Sequence, residues 1–141
     1  MKGKSFRLLI VAIVVSGMDG LDELSISGKS RVWELGEGRI EEFTLSPEDI
    51  GIESAMLEGL RGGTPAENAR ILRSVLEGEH GSAKDAVLMN AAAGLVVGGK
   101  TGHASGISAL RDGLAIARGA IDSGRALGKL ERLIALTRSF D

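Results

Sequence analysis

An unbroken apolar run, Leu8 to Val15, passes without a break into Ser16-Gly17-Met18-Asp19-Gly20-Leu21-Asp22-Glu23. Apolar residues in continuous series, followed at once by small residues and carboxylates, predict a strand buried on both faces that carries an acidic loop at its carboxyl end. In open α/β sheets, ligands sit outside that end of the strands. The adjacent hard carboxylates Asp22 and Glu23 suit magnesium, which takes oxygen ligands, keeps several waters, and is held by one or two carboxylates together with substrate phosphates. Gly17 and Gly20 let such a loop turn tightly and bring its backbone near a phosphorylated ligand. A solvated surface loop is the competing reading of the same residues.

The rest of the chain sets out a single α/β unit. Leu24 to Ser27 has the composition of a short strand. Arg31 to Leu35 and Arg39 to Leu45 flank Gly36-Glu37-Gly38, a hairpin loop with a left-handed glycine. In this hairpin Trp33 and Leu35 share one face, as do Phe43 and Leu45, which leaves the glutamates largely outward. Glu53 to Arg61 reads as a short helix stopped by Gly62-Gly63. Thr64-Pro65-Ala66-Glu67 is a capping box that opens a helix with Ile71, Leu72, Val75 and Leu76 on its apolar stripe and Gly78 at its end. Ser82 with Asp85 repeats the capping pattern before Ala86 to Val97, apolar almost all round and so expected to be buried, with Asn90 as a satisfied polar group in its middle. Ile107, Leu110, Leu114, Ala117 and Ile121 mark another helix, and Leu127, Leu130, Leu133 and Ile134 a last one. Gly94, Gly106, Gly113 and Gly119 inside these segments cost helix stability, which close helix packing would explain.

Aromatic residues make up only 3% of the chain, so the core has to be aliphatic. A formal net charge of −2 excludes a general nucleic-acid binder, which needs a basic face to collect phosphates. With no cysteine, disulfides and thiolate chemistry are excluded, in keeping with a cytoplasmic protein. Lys2, Lys4 and Arg7 before the apolar run imitate a secretory signal, but that run is too short to span a membrane, and cleavage behind it would remove the strand that presents Asp22 and Glu23.

Val14-Val15-Ser16-Gly17-Met18-Asp19-Gly20-Leu21-Asp22-Glu23 resembles the signature of the anthranilate phosphoribosyltransferase family, in which a strand ends in Val-Val-His-Gly-x-Asp-Gly-Leu-Asp-Glu. Ser46 to Gly51, Gly62 to Ala69, Lys84 to Ala93 and Ala120 to Gly124 match further family stretches in the same order. Two departures stand out. Ser16 replaces the family's usual histidine, and Met1 to Val11 does not look like the family sequence leading into this strand.

The resemblance implies an α/β fold with an incomplete, mostly parallel sheet, a β-hairpin and several packed helices. Residues 1–141 would form one partial domain, the C-terminal part of the phosphoribosyltransferase and nucleoside phosphorylase-like architecture. It also implies transfer of phosphoribosyl from phosphoribosyl pyrophosphate to anthranilate, with Mg2+ on Asp22 and Glu23. The family's helical subdomain, glycine-rich loop, Lys-His-Gly-Asn stretch and anthranilate-contacting arginine have no counterpart here. The expected partners are therefore those two small molecules, with neither nucleic acid nor membrane, and a chain supplying the missing N-terminal half. A non-catalytic subunit or a relative of the nucleoside phosphorylases are the alternative classes.

Other patterns are weaker. Gly94 to Thr101 fits the phosphate-loop spacing literally, but its first glycine falls inside a helical stretch and Leu95-Val96-Val97 fills the loop, so a helix C-terminus is the better reading. Gly28-Lys29-Ser30 lacks the first glycine of that pattern. His80 and His103 are expected to be isolated surface histidines.

Overall fold

Three short strands and four helices make up the computed structural model, which describes residues 11–140. The strands are β1 (Ala12–Gly17), β2 (Ser30–Gly36) and β3 (Arg39–Leu45). The helices are α1 (Pro65–Glu77), α2 (Ser82–Val97), α3 (Gly106–Asp122) and α4 (Arg125–Arg138), and single 3-10 turns cover Pro47–Ile50 and Leu57–Leu60. The α/β class is therefore as expected. The part of the expected first strand before Val11, and the signal-like Lys2, Lys4 and Arg7, lie outside the described residues.

The sheet differs from expectation in its pairing. Its order is β1-β2-β3 and both pairs are antiparallel, so no parallel pair occurs among the described residues. The reason lies in residues 18–29, which contain no helix. A parallel return needs a crossover long enough to cover one face of the sheet, and this connection is spent on the acidic loop instead. The second edge of β1 is unpaired among the described residues.

Nor is β1 buried on both faces. Ile13, Val15 and Gly17 turn inward, whereas Ala12, Val14 and Ser16 turn outward and Val14 is 61% exposed. Register carries this alternation across the sheet. Val15 stands opposite Val32 and Val32 opposite Phe43, while Val14 stands opposite Trp33 and Ala12 opposite Leu35. The buried face of β2 is thus Ser30, Val32 and Glu34, and Trp33 and Leu35 are half-exposed on the other side. This corrects the expected hairpin faces. Glu34 lies inward because its carboxylate accepts a hydrogen bond from the Gly106 N–H, 2.9 Å away at the start of α3, a partner 72 residues distant. On the outer face the Arg31 guanidinium lies 5.6 Å from the centre of the Trp33 ring and reaches Glu42 at 3.6 Å.

The hairpin closes through two residues, Glu37 and Gly38, with φ of 51° and 76°, and Gly36 pairs with Arg39. Two consecutive left-handed residues give the turn whose twist suits a two-residue hairpin. Leu24 to Ser27 is not a strand, although Leu24, Ser25 and Ile26 are buried. Residues 53–61 are extended before the 3-10 turn at Leu57–Leu60, not a continuous helix.

Helix α1 opens on the capping box, with the Thr64 N–H donating to Glu67 Oε2 at 2.7 Å, and ends at Gly78 with φ of 93°. Of its apolar stripe only Val75 is fully buried, and Ile71 and Leu72 remain exposed. Helix α2 is capped by Gly81 without a side-chain bond, so the expected Ser82 cap is not formed. Leu88, Met89, Ala92 and Val96 of α2 meet Ala109, Leu110, Leu114 and Ala117 of α3 in the centre of the core, while Val87 and Val97 reach solvent. The two helices approach closely at Gly113, where a Cβ would stand 2.7 Å from the Ala92 carbonyl oxygen. Gly94 and Gly119 face open space, so close packing does not explain them. Gly106 adopts φ of 73° at the start of α3. A buried lysine ties the layer together, Lys84 Nζ donating to the Gly78 carbonyl at 3.0 Å and lying 3.7 Å from Asp122.

Candidate metal-binding site

Strand β1 ends where its apolar alternation stops, and the chain then turns sharply. The Gly17 N–H donates to the Leu21 carbonyl at 2.8 Å, the Gly20 N–H to the Gly17 carbonyl at 3.1 Å, and the Met18 N–H to the Lys29 carbonyl at 2.9 Å. Gly20 takes φ of 96°, a left-handed geometry that glycine adopts without steric cost. Gly17 is needed for a different reason: a Cβ there would run into the Asp19 carboxylate and crowd the Leu21 and Ser25 side chains.

Asp19 ties the loop together from its exposed side. Its carboxylate accepts from the Ser25 and Ser27 hydroxyls and from the Leu21 N–H, the last at 3.2 Å. Desolvation pushes its pKa up, but these hydrogen bonds outweigh that and hold the carboxyl below its ordinary value of 3.8. The far side of the loop is sewn to the core. The Ser25 N–H donates to Ser30 Oγ at 2.8 Å, the Ala55 N–H to the Ile26 carbonyl at 2.8 Å, and the Leu24 N–H to Asn90 Oδ1 on α2 at 3.0 Å.

Asp22 and Glu23 are presented by this frame. Asp22 is exposed and Glu23 half-exposed, between the Gly20 turn and buried Leu24. Among the described residues neither carboxylate accepts a hydrogen bond or joins an ion pair; the acids that pair with bases lie elsewhere. Two adjacent hard donors with their lone pairs uncommitted fit magnesium, which needs few protein ligands when phosphates and waters complete its shell. No cluster of three or more His, Cys, Asp or Glu that could hold a metal occurs among the described residues. Neither Asp22 nor Glu23 lines the surface cavities of about 330 to 420 Å³ found among the described residues, although one of these is lined by Ser27 of the same loop.

The structure also sorts the weaker motifs. Gly94 lies inside α2, and Gly98, Gly99 and Lys100 terminate it, their N–H groups donating to the carbonyls of Gly94, Val96 and Leu95 at 2.9 to 3.0 Å. That is a helix end, with no strand before the first glycine as a phosphate loop requires. Lys29 leads directly into β2. His80 is exposed between α1 and α2. His103 is not isolated: its Nδ1 lies 2.7 Å from Asp112 Oδ2, which also accepts the His103 N–H at 3.0 Å. These two bonds hold the Asp112 carboxyl below its ordinary 3.8.

The sequence locates Asp22 and Glu23, the Gly17 and Gly20 turn and Asn90 as a satisfied polar group, but not the Asp19 clamp or the partner of Asn90. The Asp19 and Ser25-x-Ser27 spacing was the signal available for the first, since an aspartate followed six and eight residues later by serines can close a loop on itself. For the Asn90 contact with Leu24, across 66 residues, the sequence carried no local signal.

Residues 9–127 match the sequence model described as "Glycosyl transferase family, a/b domain". The chain is 45% identical over 130 residues to an anthranilate phosphoribosyltransferase from Dehalococcoides mccartyi, covering 91% of this chain and 36% of that one. Its fold is similar to the crystal structure of the enzyme of that name from Thermus thermophilus, with TM-score 0.78 and 42% identity over 91% of this chain and 36% of the other. The Saccharomyces cerevisiae enzyme of that name, solved with phosphoribosyl pyrophosphate and magnesium, gives TM-score 0.76 and 34% identity over 90% and 35%. The chain spans about a third of the length of these relatives.

Proposed function

Because this chain belongs to the glycosyl transferase family through its a/b domain, we propose that it is the metal-binding portion of an anthranilate phosphoribosyltransferase. Asp22 and Glu23 would hold Mg2+, and the reaction would carry phosphoribosyl from its pyrophosphate donor to the amino nitrogen of anthranilate, a step of tryptophan synthesis in the cytoplasm. The observation that carries this reading is the state of the acidic pair: two neighbouring carboxylates, uncommitted among the described residues, on a loop whose Asp19, Ser25 and Ser27 side chains are engaged with one another. Bound there, magnesium supplies positive charge against the charge that grows on pyrophosphate as it leaves.

The chain's own residues divide the remaining work. Asp22 and Glu23 offer the oxygens, Gly17 and Gly20 permit the turn that brings backbone close to a phosphorylated ligand, and Asp19 keeps the loop closed. One wall of a site is supplied here. Donor and acceptor contacts would come from what corresponds to the two-thirds of the relatives that this chain does not span. A second observation supports that division. The outward face of the sheet carries Val14, Trp33, Leu35 and Ile40 alongside Arg31 and Glu42, with Val14 at 61% and Ile40 at 70% exposure, beside the β1 edge that is unpaired among the described residues. An apolar sheet face next to an open edge calls for a covering layer.

The test is a chimera in which residues 12–140 replace the matching third of the Thermus thermophilus relative. Magnesium-dependent product formation is expected from the chimera, and a loss of about 100-fold or more on the joint change Asp22→Asn with Glu23→Gln. Undiminished turnover of that double variant would remove the metal assignment. This chain assayed alone is expected to show no more than trace turnover.

A further inference from the structure

Asn90 lies in the middle of α2, on the side that faces the loop. Its amide is shared among three backbone groups: Oδ1 accepts the Leu24 N–H at 3.0 Å, and Nδ2 donates to the Ala86 carbonyl at 3.0 Å and to the Leu24 carbonyl at 3.4 Å. The orientation of this amide is forced, because only the nitrogen can face two carbonyls and only the oxygen can face an N–H. One side chain thus satisfies both backbone groups of a residue that belongs to no strand or helix.

The position of that residue matters more than its count of bonds. The Leu24 N–H is part of the planar peptide joining Glu23 to Leu24. Holding that plane against α2 fixes the direction in which the chain leaves the core toward Glu23 and, one residue further, Asp22. Leu24 is 1% exposed and Ser25 and Ile26 are 0% exposed, so the anchored side is immobilised by packing, whereas the acidic side projects to solvent. Asp19 and the Gly17 turn fix the other end of the loop. Between them only residues 20–23 remain without a side-chain clamp, apart from the Leu21 N–H bond to Asp19.

We infer that Asn90 is a positioning residue for the metal site, setting the direction of the Asp22 and Glu23 carboxylates through the Glu23–Leu24 peptide. The inference rests on the proposed metal role of those two acids and adds to it the element that aims them. An asparagine suits this task better than aspartate, whose carboxylate could not donate to either carbonyl and would add a further negative charge near the acidic pair. It differs from an ordinary buried polar group in what its removal should do. A purely structural amide would change stability alone, while an aiming amide changes metal affinity in a protein that stays folded.

Asn90→Ser separates the two. Its hydroxyl can turn back to the Ala86 carbonyl four residues earlier, as serine does inside helices, so the intrahelical bond survives and only the bonds to Leu24 are lost. Asn90→Gln, with the same amide one methylene further out, serves as a second variant. The isotope-labelled chain is titrated with Mn2+ as a paramagnetic stand-in for magnesium, and amide broadening and hydrogen exchange are read residue by residue. Wild-type protein is expected to show broadening centred on residues 20–24. In the variants, protection of the Leu24 amide should fall about tenfold or more and the Mn2+ concentration for half-broadening should rise about tenfold, the lower end of the range for supports of metal ligands. Amides of Leu110 and Leu114 should keep their protection, showing an intact core. Variants with an unprotected Leu24 amide and an unchanged midpoint would overturn the positioning role while leaving the metal site standing. Wild-type protein with no localised broadening, whether or not pyrophosphate is present, would overturn the metal reading and this inference with it.

Discussion

Replacing Gly113 by alanine pits two effects of known sign against each other. In a helix interior alanine is favoured over glycine by about 1 kcal/mol. At Gly113 the added methyl would stand 2.7 Å from the Ala92 carbonyl oxygen, 3.0 Å from its Cα and 3.1 Å from its carbonyl carbon. All three atoms are backbone of the facing helix, which cannot rotate aside as a side chain can, so α2 and α3 must separate at their crossing. Overpacking of this kind costs about 1 to 3 kcal/mol, and a backbone obstacle puts the cost at the upper end. The net expectation is destabilisation by about 1 to 2 kcal/mol, or roughly 0.5 to 1 M in the urea midpoint for a slope of about 2 kcal/mol/M. Gly119→Ala, six residues further along α3 and facing open space, lacks the obstacle and should gain up to about 1 kcal/mol. Urea unfolding of wild type and the two variants, followed by circular dichroism, reads both. Two substitutions of the same type in one helix are expected to shift the midpoint in opposite directions, and a Gly113→Ala protein as stable as Gly119→Ala would refute the account of the helix crossing.

Lys84→Met removes the donor held by the Gly78 carbonyl at 3.0 Å and should destabilise the chain by about 1 to 3 kcal/mol in the same urea assay, since the carbonyl loses its buried partner. An unchanged midpoint would show that this bond contributes nothing. Glu34→Ala should cost about 1 kcal/mol by freeing the Gly106 N–H at the start of α3, with faster amide exchange at Gly106 as the local readout. The pKa of Asp19 is depressed in the folded chain, so its contribution is fully present above the unfolded value of 3.8 and is lost as pH falls through the lower folded value. A carbon-detected titration should find its carboxyl below 3.8, and a midpoint above 3.8 would contradict the loop closure.

Where the sequence was legible, the information was local. The Thr64 to Glu67 box and Gly78 bound α1 because both ends are decided within a few residues, and Gly36-Glu37-Gly38 marked the hairpin for the same reason. The acidic loop could be located because apolar and acidic residues meet at one point in the chain. What could not be read depends on distant partners. Alternation alone favours Trp33 and Leu35 as the inner face of β2, but the Gly106 N–H recruits Glu34 inward and the register with Val15 and Phe43 places Val32 beside it. Leu24 to Ser27 has the look of a strand, yet its backbone groups are taken by Asn90, Ser30 and Ala55 rather than by a neighbouring strand. Ile71 and Leu72 read as core residues and remain exposed, since a stripe says that a surface is apolar without saying what covers it.

The central claim is that Asp22 and Glu23 together take a divalent cation. Crystals of this chain soaked in manganese, with data collected for anomalous scattering, test it most directly. The account predicts an anomalous peak within about 2.1 Å of carboxylate oxygens from both residues, the distance expected for a small hard cation. A peak at other residues only, or none when the soaked ion is bound in solution, would contradict it.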